Sequence, residues 1–529
     1  MLAGAASRLA ALTILGLPAE GLTAAFEREF SSRPYAGVLV FRRHFGSTRE
    51  LPALLDRIRS LVAPRRILVA MDEEGGFVSQ LAPDFPVPPN ARVLGRAASE
   101  TEVERIAATV GNWLTALGVD VNFAPVLDVD SEAANPVIGP RSFGADPALV
   151  ARLGGAALRG FREGGILATV KHFPGQGMTA VDSHLELPEC TDDAATLHAR
   201  DLVPFRDALH LAPLVMTAHV RYPRLDSRWP ATLSPAILNG LLRGELGSRG
   251  VVVTDAMEMA GLAGAAPGGE GVLRALAAGC DLILIGIWGP EAAAALADAA
   301  ERWEREGERA LPETRWETAR GAVEALFQAA LAAERFERGE KRTPGESTRL
   351  DVLVPPSWDQ SLEAICRRAL AWHGAPVVIP GAGAAFAIEV LEPAWSSGPS
   401  IAGLLGEHGL PTRATTFAAA TSGAAPGRTT SVAADFARLR AETGAPGRAA
   451  IPLVVALPRR TPLSPGETAE LRALCADRPT VLVALEQDGF LADFEGAVGR
   501  LSACDATPAM RNAVAGELWG ILSAGRVAR

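Results

Sequence analysis

Eight short apolar runs, each separated from the next by a stretch of helical periodicity, constrain this chain more than any other feature. They are Leu12–Leu17, Val38–Phe41, Ile67–Met71, Val119–Phe123, Ile166–Val170, Leu214–Thr217, Val251–Thr254 and Leu282–Ile287. Between them lie amphipathic segments such as Leu51–Val62, Glu102–Leu117, Pro147–Arg162, Ala195–Leu209 and Pro235–Leu246. A strand wet on one face alternates apolar with polar residues. These runs are nearly continuous, as in a parallel sheet covered by helices on its faces. Eight such units over about 330 residues predict an α/β fold, a (β/α)8 TIM-like barrel with insertions. A doubly wound open sheet is the alternative.

A barrel makes a checkable statement, because its chemistry sits at the carboxyl ends of the strands. Asp72 follows Ile67–Met71, Lys171 and His172 follow Ile166–Val170, His219 follows Leu214–Thr217 and Asp255 follows Val251–Thr254. Ionisable residues placed at random would fall at both ends. The densest stretch is KHFPGQGMTAVDSHLELP, from Lys171 to Pro188, where Pro174, Gly175 and Gly177 break regular structure and Asp182 and His184 stand two apart. A carboxylate beside an imidazole can orient it and raise its basicity; the plain alternative is a polar loop with incidental histidines. Asp255, in VVVTDAMEM, is a carboxylate at the end of a very apolar strand. Partly desolvated there, it suits a nucleophile or a proton carrier, unless it merely caps a helix.

Past the barrel, a helical tract over Pro290–Arg338 leads to the charged stretch ERGEKRTPGEST. The expected organisation is a barrel over residues 1–335, a linker over 336–349 and a smaller α/β sandwich domain over 350–529. In that second domain Leu350–Val354, Val377–Ile379, Ala387–Leu391, Leu453–Leu457 and Val481–Leu485 read as strands, and Ala414–Thr430 as a loop. The net charge of −10 disfavours nucleic acid or an anionic membrane as the main partner. No stretch reaches the length of a membrane span. Five cysteines, Cys190, Cys280, Cys366, Cys475 and Cys504, are scattered without a C-x-x-C pair, so neither a disulfide framework nor a zinc site is indicated. The opening MLAGAASRLAALTILGLPAEGLT has an interrupted apolar region and no clear cleavage site, and the chain reads as cytoplasmic. Oligomeric state leaves no mark in the sequence.

KHFPGQGMTAVDSHLELP resembles the signature loop of family-3 glycoside hydrolases, in their β-N-acetylglucosaminidase branch. GVLVF, AMDEEGG, GVDVNFAPVLDVD, NPVIGPRSFG, LVMTAHVRYP, WPATLSPAILNGLLRGELG and VVVTDAMEM resemble further blocks of that family in the right order. The C-terminal part resembles the second domain of two-domain members. The resemblance implies retaining hydrolysis of a small-molecule carbohydrate through a covalent glycosyl-enzyme intermediate, with no metal or organic cofactor. It implies Asp255 as nucleophile, His184 as acid/base with Asp182 as its partner, and Asp72, Arg141, Lys171 and His172 as sugar-binding residues.

Two departures stand out. Phe77 and Gln80 occupy positions where the family usually has arginines, and Gln176 replaces a histidine between Gly175 and Gly177. The first puts hydroxyl recognition at that corner in question, and the second implies altered support for the loop. The rival readings are a β-glucosidase, a phosphorylase working at the same site, and a sugar-binding homologue without activity. A separable partner-binding role for the second domain is a further rival. His219 reads as a supporting residue, His44 lies near a strand end, Trp288 reads first as packing against the rim, and Met257 and Met259 as packing residues.

Overall fold

In a computed structural model, residues 4–181, 186–337, 354–372, 388–393, 400–407, 412–417, 453–457, 465–477, 480–485, 491, 494, 497, 499–503, 505 and 507–524 are described. Eight strands, β1 (Thr13–Gly16), β2 (Gly37–Leu39), β3 (Leu68–Met71), β4 (Val121–Asn122), β5 (Leu167–Phe173), β6 (Leu214–Thr217), β7 (Val251–Ala256) and β8 (Leu282–Ile285), close into a barrel in sequence order. Every pairing is parallel, and Thr13–Leu15 of β1 pairs with Ile283–Ile285 of β8 to shut the cylinder. The closed barrel, rather than an open sheet, is the fold. β1, β2, β3, β6 and β8 are buried at every position, which is why they lack polar alternation.

The helices follow their sequence signals. Ser99 and Glu102 form a reciprocal capping box at the start of helix Glu100–Leu117, and Gly118 ends it with φ of 91°. Pro147 opens helix Pro147–Glu163 behind the Asp146 cap. Two segments differ from expectation. The Ala195–Leu209 tract is two helices, Ala194–Ala199 and Leu202–Ala208, because Asp201 turns inward at their junction and is fully buried. β5 runs past Val170 through Phe173, so Lys171 and His172 lie within the strand; its register against β6 shifts between Val170 and Phe173.

The chain divides into two compact units. The second comprises Gly75–Phe77, Phe85–Ala98 and Pro356–Arg529. It therefore includes a piece of chain from between β3 and helix Glu100–Leu117. In that piece, helix Ala91–Ala97 is tied to the C-terminal part by Asn90 N–H to Asp505 Oδ2 at 3.0 Å and Arg96 Nη1 to Ser502 Oγ at 2.7 Å. The sheet of this unit has β9 (Ala371–Trp372), β10 (Ile388–Pro393), β11 (Thr412–Phe417), β12 (Leu453–Leu457), β13 (Thr480–Ala484) and β14 (Gly499–Ser502), in the order β11-β10-β12-β13-β14-β9. All but the β14–β9 pair are parallel. Its core gathers Leu453, Val455 and Leu457 of β12 with Leu471, Leu474, Leu482 and Phe494. The loop expected over Ala414–Thr430 is corrected in its first part: Ala414–Phe417 belongs to β11, where pairing with Val390–Pro393 of β10 supplies the backbone hydrogen bonds that composition alone does not reveal. The expected runs Leu350–Val354 and Val377–Ile379 lie almost wholly outside the described residues, as does most of the expected linker.

Candidate active site

The candidate side chains of β3, β5 and β7 reach the carboxyl rim because their strands end there, and Arg141 comes from the short turn Gly139–Arg141 after β4. Asp72 lies one residue past β3. The Lys171 ammonium, on β5, is 2.8 Å from Asp72 Oδ1 and 2.6 Å from Glu74 Oε1, with its own side chain 2% exposed. Glu74 in turn receives both arms of Arg141, Nε to Oε2 and Nη2 to Oε1, each at 2.8 Å. Such a bidentate fork is the strongest neutral-pH arrangement of a guanidinium with a carboxylate. Burial alone would raise the Glu74 carboxyl, but Arg141 and Lys171 hold it well below the usual carboxylate range. Burial likewise opposes charge on Lys171, and Asp72 and Glu74 outweigh it, so the ammonium holds its proton more firmly than a free lysine.

His172, next along β5, hands its ring Nδ1 to Asp128 Oδ2 at 2.6 Å, and Asp128 is fully buried. The other oxygen of Asp128 accepts the Gln176 N–H at 2.7 Å, so one carboxylate fixes both the imidazole and the loop after it. That loop is tightly seated. A Cβ on Gly177 would lie 1.9 Å from the Val129 carbonyl oxygen, and Gly175 sits at φ of 137°. The Tyr222 hydroxyl donates to the Gly175 carbonyl, and Asn135 Nδ2 donates to the Gln176 carbonyl at 2.8 Å. Gln176 thus supports the loop through its backbone while its side chain is buried.

Asp255 stands on β7, half-buried, with Oδ1 accepting the Ala256 N–H at 2.8 Å. It caps no helix, since the next one begins at Ala260 behind Met259. Burial would raise its carboxyl; His172, His219, the Ala256 N–H and Lys171 outweigh burial and bring it below the ordinary aspartate value. His219 is fully buried, with Nδ1 2.7 Å from Thr232 Oγ1 and Nε2 3.1 Å from the Ala256 carbonyl oxygen. Glu258 accepts the Gly286 and Ile287 N–H groups at 3.0 and 2.7 Å, tying the β7 end to the β8 end. Trp288 packs edge-on against Phe26, with ring centroids 5.8 Å apart.

Asp72, Lys171 and Arg141 are joined in one charged cluster through Glu74, and His172 and Lys171 both bias Asp255. Asp182 and His184 lie outside the described residues. Glu74, Asp128 and Thr232 are structural partners that the sequence did not single out. The only signal for them was their presence in AMDEEGG, VLDVD and WPATL. Gln80 turns its carboxamide to protein, donating to the Asp72 carbonyl at 3.1 Å and accepting the Arg42 N–H at 2.8 Å. No group of three or more histidine, cysteine, aspartate or glutamate side chains suited to a metal ion occurs among the described residues.

An ionised, partly desolvated carboxylate under the influence of Lys171, His172 and His219 at the mouth of a (β/α)8 barrel fits the equipment of a glycosidase. Residues 21–308 match the family model for the glycosyl hydrolase family 3 N-terminal domain, and the chain belongs to that family. It is 41% identical over 286 residues to a beta-hexosaminidase of Chromobacterium violaceum, covering 53% of this chain and 79% of that one. A beta-hexosaminidase of Methylococcus capsulatus is 41% identical over 283 residues, covering 52% of this chain and 82% of its own. Among solved structures, a glycoside hydrolase family 3 beta-N-acetylglucosaminidase from Paenibacillus sp. str. FPU-7 superposes with a TM-score of 0.84 at 28% identity, over 98% of this chain and 96% of that one.

Proposed function

We propose that the protein is a retaining β-N-acetylglucosaminidase that releases terminal β-linked N-acetylglucosamine from small soluble glycans, cell-wall muropeptide fragments among them. The observation that carries this reading is Asp255, a half-buried carboxylate kept ionised by His172, His219 and Lys171 at the end of β7. Its oxygen attacks the anomeric carbon while the glycosidic C–O bond breaks, and the departing oxygen takes a proton from His184. Water then displaces Asp255 from the sugar and returns a proton to His184, which Asp182 orients. Histidine suits this role because its ordinary pKa lies near neutral pH. Asp72, Lys171 and His172 hold sugar hydroxyls. Arg141, whose Nε and Nη2 are engaged by Glu74, contributes through Nη1, which among the described residues has only a 3.4 Å contact with the Val137 carbonyl. The four described cysteines are free and buried, which fits the reducing cytoplasm, and no described helix is long and apolar enough to cross a membrane.

Kinetics with an aryl N-acetyl-β-glucosaminide and an aryl β-glucoside, each with and without inorganic phosphate, test the reading. Preference for the N-acetyl sugar with free N-acetylglucosamine as product supports it. Preference for the glucoside, sugar 1-phosphate as the product, or no turnover with either substrate refutes it.

A further inference from the structure

Glu73, between the two carboxylates that meet Lys171, is used by none of the steps above, yet its environment is highly constrained. It is 1% exposed. Its backbone is locked to β4 in both directions, its N–H donating to Asn122 Oδ1 at 2.9 Å and its carbonyl accepting from Asn122 Nδ2 at 3.0 Å. Its side chain reaches across the loop that follows. Oε2 alone accepts three donors, Ser79 Oγ at 3.0 Å, Gln80 N–H at 2.7 Å and Leu81 N–H at 3.1 Å. Oε1 is buried with no hydrogen-bond partner among the described residues. Together with the Glu74 N–H to the Val78 carbonyl, 2.9 Å, these bonds close the neck of the loop. The Gln80 side chain then stands between two strand ends, joining the Asp72 carbonyl to the Arg42 N–H.

We propose that Glu73 is a positioning residue: it clamps Ser79–Leu81 so that the Gln80 carboxamide pins the Asp72 backbone and presents the Asp72 carboxylate to the sugar. The proposal rests on the reading of Asp72 as a sugar-binding group. The carboxyl works through one oxygen, as a carbonyl acceptor, so the clamp needs no negative charge. Burial pushes the Glu73 carboxyl up to about 7, against its three donors and helped by the neighbouring Glu74 charge. The charged groups around it are Glu74 and Asp72 with their counter-ions Lys171 and Arg141. The three donors favour the ionised carboxyl, while burial and the Glu74 charge favour the neutral one; in either form Oε2 accepts the same three bonds.

Three variants, Glu73→Ala, Glu73→Gln and Asp72→Asn, and the Glu73→Ala/Asp72→Asn double variant test this with an aryl N-acetyl-β-glucosaminide. Glu73→Ala should raise KM about tenfold with kcat changed by less than about threefold, the scale of a few lost hydrogen bonds. Glu73→Gln should recover the wild-type KM at pH 6, because its carbonyl oxygen accepts the same three donors. The double variant should be no worse than Asp72→Asn alone. An unchanged KM in Asp72→Asn removes the Asp72 reading itself, whatever Glu73 does. A raised KM in Asp72→Asn with an unchanged one in Glu73→Ala, or fully additive effects in the double variant, overturns the positioning role. If thermal unfolding shows that Glu73→Ala does not fold, Gln80→Ala decides, because it removes the carboxamide that the clamp positions: an unchanged KM overturns the proposal.

Discussion

The two sides of the barrel mouth are built on opposite principles. On the β3 and β5 side every charged group is committed: Lys171 to Asp72 and Glu74, Arg141 to Glu74, His172 to Asp128. On the β7 side Asp255 accepts a single N–H from its own neighbour among the described residues, and His172, His219 and Lys171 act on it electrostatically. Groups that must hold a shape are saturated with partners. The proposed nucleophile, Asp255, is kept ionised by surrounding charge, and its second oxygen has no hydrogen-bond partner among the described residues. A nucleophile saturated with close hydrogen bonds would be stabilised in its ground state and slowed.

Breaking each side should therefore fail in a different way. Asp255→Asn has the largest expected effect, a loss of kcat on the order of 10,000-fold or more with the fold intact, read by single-turnover kinetics and circular dichroism. A stability loss as large as the activity loss would mean that Asp255 is a structural residue. Lys171→Met should instead cost stability. It leaves Asp72 without its ion pair and Glu74 with Arg141 alone in a largely buried cluster, a change worth roughly 3 kcal/mol, measured as a lower midpoint for the barrel in thermal unfolding. Little change in the midpoint would show that water already reaches the cluster. A pH profile sharpens the comparison further. Because the Asp255 carboxyl is depressed in the fold, its ionised form adds stability above the unfolded aspartate value of about 4, lost as pH falls through the lower folded value. The acid limb of kcat/KM assigned to Asp255 should lie below pH ~4, and a limb near pH 5 would contradict the charge balance around it. Thr232→Val should be mildest. The variant loses the bonds to Thr217 Oγ1 and the Ala218 carbonyl as well as the one to His219, and the loss at His219, worth about 1 kcal/mol, should appear as a severalfold drop in kcat.

Much of this mouth was visible in the chain before any folding was considered. Strands buried on both faces leave near-continuous apolar runs, and those runs end where Asp72, Lys171, His172, His219 and Asp255 begin. What stayed hidden was pairing. Glu74 and Arg141 are 67 positions apart, His172 and Asp128 are 44 apart, and nothing in their local sequence says that one will neutralise the other. Gln80 is the sharper case. Read as a position, it is an arginine lost from sugar recognition; placed in space, it is a brace between two strand ends. The excursion Phe85–Ala98 was hidden too, because its helix Ala91–Ala97 joins the second unit through contacts with residues more than 400 positions away.

The sequence by itself determined the barrel and the strand ends at which Asp72, Lys171, His172, His219 and Asp255 stand; Asp255 as the reactive carboxylate is the proposal built on them. Burial patterning and strand ends are local properties, written in consecutive residues. Only the tertiary structure decided which carboxylates become counter-ions, which one is left uncommitted, and which buried acid grips a loop. The division of labour among Asp72, Glu73, Glu74, Asp128 and Asp255 depends on distance and desolvation, and those exist only once remote strands lie side by side.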